Sequence, residues 1–178
     1  MITFVVPSLG RTGLRQTLDS IECWPGDEIL VVGSMGAVVD PRVRFLPCAP
    51  QGDWGHSERN LAKAEVHTPY FANLDDDDIY APDTRALMAD AIEQTPNRPV
   101  IFRMQYPNGF ILWDRPGIEV GHVGTPMMFM PNDLSRLGVW GPSREGDFHF
   151  LSTCTWRLEE YIWRPEVVAL IGRNQNEV

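Results

Sequence analysis

Four consecutive carboxylates, Asp75, Asp76, Asp77 and Asp78, follow directly on the apolar run from Thr68 to Leu74, so an expected buried strand ends in a dense patch of negative charge. Adjacent carboxylates repel by about 1 kcal/mol per pair in water and by several at the lower effective dielectric of a cleft. A divalent cation bound through oxygen removes that repulsion, and oxygen donors beside phosphate suit Mg2+ or Mn2+ better than zinc. In an extended segment side chains alternate, which predicts Asp75 and Asp77 on one face and Asp76 and Asp78 on the other. The same acids also fit a solvated loop that caps a helix beginning at Pro82-Asp83.

A second acidic pair, Glu145 and Asp147, opens a later helical stretch. Such a pair admits two roles, a proton acceptor for a reacting hydroxyl or first-turn acids stabilised by the helix dipole. Arg11 and Arg59 carry planar forks suited to phosphate oxygens, and equally to ion pairs. His149, two residues beyond Asp147, and His122, in a Gly-flanked turn, are candidates for a further metal ligand, each with a purely structural alternative. Trp54, Trp113 and Trp140 are rings that stack on a base or a sugar, or fill the core.

The elements that must position these groups follow from periodicity. Ile2 to Pro7 reads as a core strand; after the Ser8 to Arg11 turn, Leu14, Leu18 and Ile21 recur at helical spacing behind Thr12 as N-cap. Glu28 to Gly33 is a β-branched run of the kind buried on both faces of a parallel sheet, completing a βαβ unit. Val43 to Pro47 is a shorter strand. The loop Gln51 to Gly55 then leads to a helix capped by Ser57 and running through Glu65, which delivers the chain to the Tyr70 strand.

Farther on, Pro82 to Thr95 is expected to be helical with Leu87, Met88, Ala91 and Ile92 inward. Pro99 to Met104 and Gly109 to Trp113 read as strands about the Pro107-Asn108-Gly109 turn, and Pro126 to Met130 as another. A short helix from Asn132 to Leu137 is expected to end on a left-handed Gly138. Glu145 to Thr155 is expected to be helical with Phe148, Leu151 and Cys154 or Thr155 inward. Tyr161 to Ile171 reads as a terminal strand or a hairpin broken at Pro165.

The order of these pieces resembles the GT-A glycosyltransferases, in particular the family-2-like group that uses nucleotide-activated sugars. Four segments carry the resemblance: Val6-Pro7-Ser8 with Arg11, Ser57-Glu58-Arg59-Asn60-Leu61, Leu74-Asp75-Asp76-Asp77-Asp78, and Glu145-Gly146-Asp147-Phe148. They span about residues 2 to 155. The resemblance implies an α/β, Rossmann-like GT-A fold with a central, mostly parallel mixed sheet flanked by helices. It implies a donor-binding half over about residues 1–98 and an acceptor half over about 99–178.

It further implies metal-dependent transfer of a sugar from a nucleoside diphosphate, uridine first, to an acceptor hydroxyl, with inversion. Pro7, Ser8, Arg11, Arg59, Asp75 and Asp76 then bind the donor. Asp77 then holds Mn2+ or Mg2+, with Asp75 as a second ligand or turned toward the ribose or a metal-bound water, His149 is the candidate to complete the shell, and Asp147, or alternatively Glu145, is the base. The chain departs from the family at Gly33-Ser34-Met35-Gly36, where an Asp that reads the nucleobase usually stands. It also lacks an extended acceptor region, which leaves the acceptor to residues around Gly124 to Pro126 and Trp140 to Asp147.

Two other functions are open to the same acids. Nucleotidyl transfer would want a Gly-rich loop with Lys after the first strand, whereas Ser8 to Gly13 has two glycines and no Lys. A degenerate transferase fold that only binds a saccharide or a partner protein would need no base.

Composition limits the remaining classes. At 178 residues, 43% hydrophobic and 22% charged, the chain suits one soluble domain over 1–178. No apolar run approaches the roughly 20 residues of a membrane span, and Met1 to Pro7 lacks the basic start of a secretion signal, so a cytoplasmic protein is expected. Cys23, Cys48 and Cys154 are widely spaced, which disfavours a disulfide framework or a zinc ribbon. A formal net charge of -9 argues against general nucleic-acid binding, which rests on neutralising phosphates with Lys and Arg.

Overall fold

A computed structural model of the chain describes residues 1–172. The β-branched run at the N-terminus forms β1 (Ile2–Leu9), which pairs in parallel with β2 (Glu28–Ser34) on one side and with β4 (Tyr70–Asn73) on the other. β3 (Val43–Pro47) extends the parallel half beyond β2. Ile29, Leu30, Val31 and Val32 are all at 0% exposure, as a strand covered on both faces requires. Each such side chain contributes roughly 1.5–3 kcal/mol by leaving water.

The helices α1 (Leu14–Ser20), α2 (His56–Glu65), α3 (Thr84–Gln94) and α4 (Gly146–Thr153) flank this sheet. Beyond β4 the order becomes mixed. β8 (Met128–Pro131) inserts antiparallel between β4 and β6 (Val100–Gln105), and β6 pairs with the short β7 (Ile111–Leu112) and in parallel with β9 (Ile162–Leu170). β5 (Ile79–Tyr80) pairs antiparallel with β9, giving the order β3-β2-β1-β4-β8-β6-β9-β5. No helix among the described residues is long and apolar enough to cross a membrane.

Several local expectations are corrected. Gly13, not Thr12, precedes α1, with no side-chain cap. Ser57 lies inside the first turn of α2, and Asp53 performs the capping, its Oδ2 accepting from the Ser57 N–H at 3.1 Å and hydroxyl at 2.5 Å. In α3, Met88 and Ala91 are buried while Leu87 and Ile92 are half-buried. In α4 the buried side chains are Phe150 and Leu151 rather than Phe148.

The segment from Asn132 to Leu137 makes a turn and no helix. Gly138 is needed for contact rather than for a left-handed cap, because a Cβ there would meet the Phe150 carbonyl oxygen at 2.1 Å. β9 runs unbroken through Pro165. Between the pairs Ile101↔Trp163 and Arg103↔Val167, β9 advances four residues against two on β6, so the proline sits in a bulge where no ladder N–H is required.

Candidate active site

β1 and β4 end side by side, and the acidic segment leaves the sheet there. It is not extended: the Asp78 N–H donates to the Asp75 carbonyl at 3.0 Å, closing a turn that β5 then anchors to the sheet. The expected alternation of faces therefore gives way to a turn in which Asp75, Asp76 and Asp77 all line one cleft of about 210 Å3. Pro7, Ser8, Leu9 and Arg11 from the end of β1, Gly52 to Gly55, and Glu58 from α2 form the other walls. In open α/β sheets this crevice at the carboxyl ends of parallel strands is where ligands bind.

Each acid has its own environment. Asp76 is buried and accepts from the Ser8 hydroxyl at 3.0 Å, the Leu9 N–H at 2.9 Å and Arg11 Nη1 at 3.2 Å, so it fastens the turn after β1 to the acidic segment. Asp77 is half-buried, with Arg11 Nη1 at 2.9 Å from its Oδ2. Asp78 is buried and accepts the Gly172 N–H at 2.7 Å, and burial together with the nearby Asp75 charge pushes its carboxyl up to about 8. Asp75 is ion-paired to Arg59. Loss of hydration raises its carboxyl to about 6 against the pull of Arg59, helped by the charges of Asp147, Asp77 and Asp76.

α2 is the element that assembles the rest. Arg59 is 2% exposed, so it is not a surface fork waiting for phosphate; its Nη2 holds Asp75 and its Nη1 donates to the Trp54 carbonyl at 2.8 Å. Asn60 clamps the backbone of Trp140, donating to its carbonyl at 2.8 Å and accepting its N–H at 3.0 Å. His56 is 3% exposed, and burial together with the Arg59 cation lowers its pKa, which keeps the imidazole neutral. Its ring lies against Gly146, where a Cβ would come within 2.3 Å of Nε2. The glycine between the two late acids is thus what lets α4 approach α2.

That approach turns Asp147 inward. The Thr125 hydroxyl donates to Asp147 Oδ1, and the Trp140 indole N–H reaches the same hydroxyl at 3.4 Å, so a buried relay orients the carboxylate. Glu145, at the N-cap of α4, is exposed. His149 is not brought to the acids. Two residues on from Asp147 is about 200° around a helix, and its Nδ1–H donates instead to the Val139 carbonyl at 2.8 Å. His122 is held by the Arg115 carbonyl in a separate loop. Trp113 and Trp140 are core, at 6% and 3% exposure, whereas Trp54 lines the cleft at 62%.

No protein-family model matches this sequence, and no curated protein matches it. Solved structures do share its shape. S. aureus TarS 1-349 superposes with a TM-score of 0.70 at 13% identity over 96% of this chain and 60% of that one. The same protein in complex with UDP-GlcNAc gives 0.65 at 12% identity over 95% and 57%. The mannosyltransferase PcManGT from Pyrobaculum calidifontis, in complex with GDP-Man and Mn2+, gives 0.64 at 17% identity over 96% and 56%.

The chain has a GT-A-like glycosyltransferase fold. At these identities the fold is what is shared, and the chain spans 56 to 60% of the length of those three structures. Within the GT-A-like frame, the sequence pattern does not reveal Asp53 and His56, or the separate roles of Glu58, Asn60 and Thr125. The cue available was Gly146: a glycine inside a helical start between two acids signals close packing of another element against it.

Proposed function

We propose that the chain transfers a glycosyl group from a nucleoside-diphosphate sugar to a hydroxyl acceptor, with a uridine diphosphate sugar as the first donor to test. One juxtaposition carries the reading. Asp75, Asp76, Asp77 and Arg11 line one cleft at the ends of the parallel strands, with Asp147 near enough to raise Asp75 by its charge.

The donor set is oxygen-only and crowded with like charge, which fits Mg2+ or Mn2+. Asp75 and Asp77 are the residues that would hold the cation, which when bound neutralises charge on the departing diphosphate. Among the described residues no three His, Cys, Asp or Glu side chains enclose an ion by themselves. A shell of one or two carboxylates completed by phosphate oxygens is the usual arrangement for Mg2+. Arg11, beside Asp77 and 48% exposed at its side chain, would pair with the diphosphate.

Asp147 acts as the base. Thr125 fixes it through Oδ1, leaving Oδ2 to take the acceptor's proton as that oxygen attacks the anomeric carbon. The new carbon–oxygen bond forms as the bond to the diphosphate breaks, the electron pair leaving with phosphate, and configuration inverts.

The test is a thermal-shift screen of nucleoside-diphosphate sugars with and without Mn2+, on wild type and Asp77→Asn, followed by mass spectrometry of products from candidate acceptors. A donor should raise Tm by mass action only when Mn2+ is present, and Asp77→Asn should fold yet lose the metal-dependent part. A wild type indifferent to every nucleoside-diphosphate sugar refutes the reading.

A further inference from the structure

The end of β2, where a nucleobase-reading carboxylate would stand, is filled by backbone. A Cβ on Gly33 would lie 2.2 Å from the Ser8 carbonyl oxygen, and one on Gly36 would lie 2.6 Å from the Gly10 carbonyl oxygen. Ser34 turns its hydroxyl onto the Gly36 N–H at 3.2 Å. Nor does the turn after β1 offer an aromatic ring, since it reads Ser8-Leu9-Gly10-Arg11. A base held in this cleft must find its stacking partner and its polar partner elsewhere.

Two side chains on another wall of the cleft, Trp54 and Glu58, have properties of their own. Trp54 lines the cleft and is 62% exposed, although its φ of 59° lies in the left-handed region that bulky residues avoid. Its carbonyl is gripped by buried Arg59, so the strained backbone is held in place by the group that also holds Asp75. Strain of this kind persists where the surroundings over-determine it, commonly at ligand clamps.

Glu58 is the converse. It lines the same cleft at 3% exposure, and its buried Oε2 has no hydrogen-bond partner among the described residues. A buried carboxylate oxygen left without a donor is destabilising, and an ionised carboxylate can only accept.

We infer that Trp54 and Glu58 form the nucleobase subsite of the donor proposed above, the indole stacking on the base and the carboxylate accepting a ring N–H from its edge. That chemistry selects uracil or guanine. Each presents an N–H at the middle of its pairing edge, where cytosine and adenine present a ring-nitrogen lone pair that repels a carboxylate. Stacking serves any base, so the two residues divide affinity from selectivity.

The experiment is isothermal titration of UDP, GDP, CDP and inorganic pyrophosphate, each with Mn2+, into wild type, Trp54→Ala, Trp54→Phe and Glu58→Gln, with melting curves to show that each variant is folded. Wild type should bind UDP or GDP at least about tenfold more tightly than CDP. Trp54→Ala should weaken every nucleotide by about 10- to 100-fold while pyrophosphate is unaffected, and Trp54→Phe should restore most of the loss. Glu58→Gln should erase the discrimination against CDP. Nucleotide affinities within about twofold of wild type in both Trp54→Ala and Glu58→Gln, or UDP and GDP binding no tighter than pyrophosphate, overturn the inference and leave the donor class standing. If neither pyrophosphate nor any nucleotide binds wild type, the donor reading itself fails and the subsite falls with it.

Discussion

Replacing Arg59 with methionine keeps most of the side-chain volume and removes a cation buried beneath the acidic segment. Arg59 is 2% exposed and pairs with Asp75, whose side chain is 36% exposed. Breaking a buried pair by deleting one partner costs about 3–5 kcal/mol, because the other charge is stranded. Partial exposure of Asp75 lets water solvate the stranded carboxylate, which takes the expected loss to the lower end, about 3 kcal/mol. With a urea m-value of about 2 kcal/mol/M, the unfolding midpoint should fall by about 1.5 M.

Adding Asp75→Asn to Arg59→Met removes the stranded charge, so the double variant should recover part of the loss, with a coupling of about 1–3 kcal/mol in the cycle. The two single variants should also weaken Mn2+-dependent donor binding. An Arg59 that contacted phosphate directly, as its residue type suggests, would give a different pattern: binding lost, stability intact. A stability loss under about 1 kcal/mol, the worth of a surface salt bridge, would refute the buried-pair account.

Asp147→Asn should retain donor binding while transfer falls by about two to four orders of magnitude, the usual worth of a positioned base, and Glu145→Gln should stay near wild type; steady-state kinetics on both checks this, and the reverse pattern exchanges the roles. Gly146→Ala should destabilise by about 1–3 kcal/mol through overpacking on the His56 ring, despite the better helix propensity of alanine, as read by urea unfolding. Asp27 has its side chain at 0% exposure, meeting Arg85 and the N–H groups of Ile2 and Trp24. Burial favours its neutral form, but those donors outweigh burial and hold its carboxyl below the ordinary range. A depressed folded pKa means that its stabilisation is complete above the unfolded value of about 3.9 and is lost as pH falls through the folded one. The stability difference between wild type and Asp27→Asn, about 3 kcal/mol at pH 7, should therefore shrink below about pH 4; a difference that stays flat to pH 3 refutes it.

Residue pattern alone reveals the order of elements through the first βαβ unit and the placing of the acids where a strand ends. Runs such as Ile29 to Val32 and spacings such as Leu14, Leu18 and Ile21 are set by backbone geometry repeating every two or 3.6 residues, and all seven side chains are buried as that pattern requires. The rest of the site depends on partners distant in the chain. Ser8 meets Asp76 across 68 residues, and Asn60 meets Trp140 across 80. Arg59 looks like a phosphate fork until α2 is laid on the acidic turn, where a charged group has to be paired to be buried at all. Trp54 is indistinguishable from Trp113 and Trp140 by type, yet its side chain is exposed in the cleft while theirs pack inside. Periodicity is a local property of the chain, whereas the burial, pairing and direction of a side chain are properties of whatever the fold brings against it.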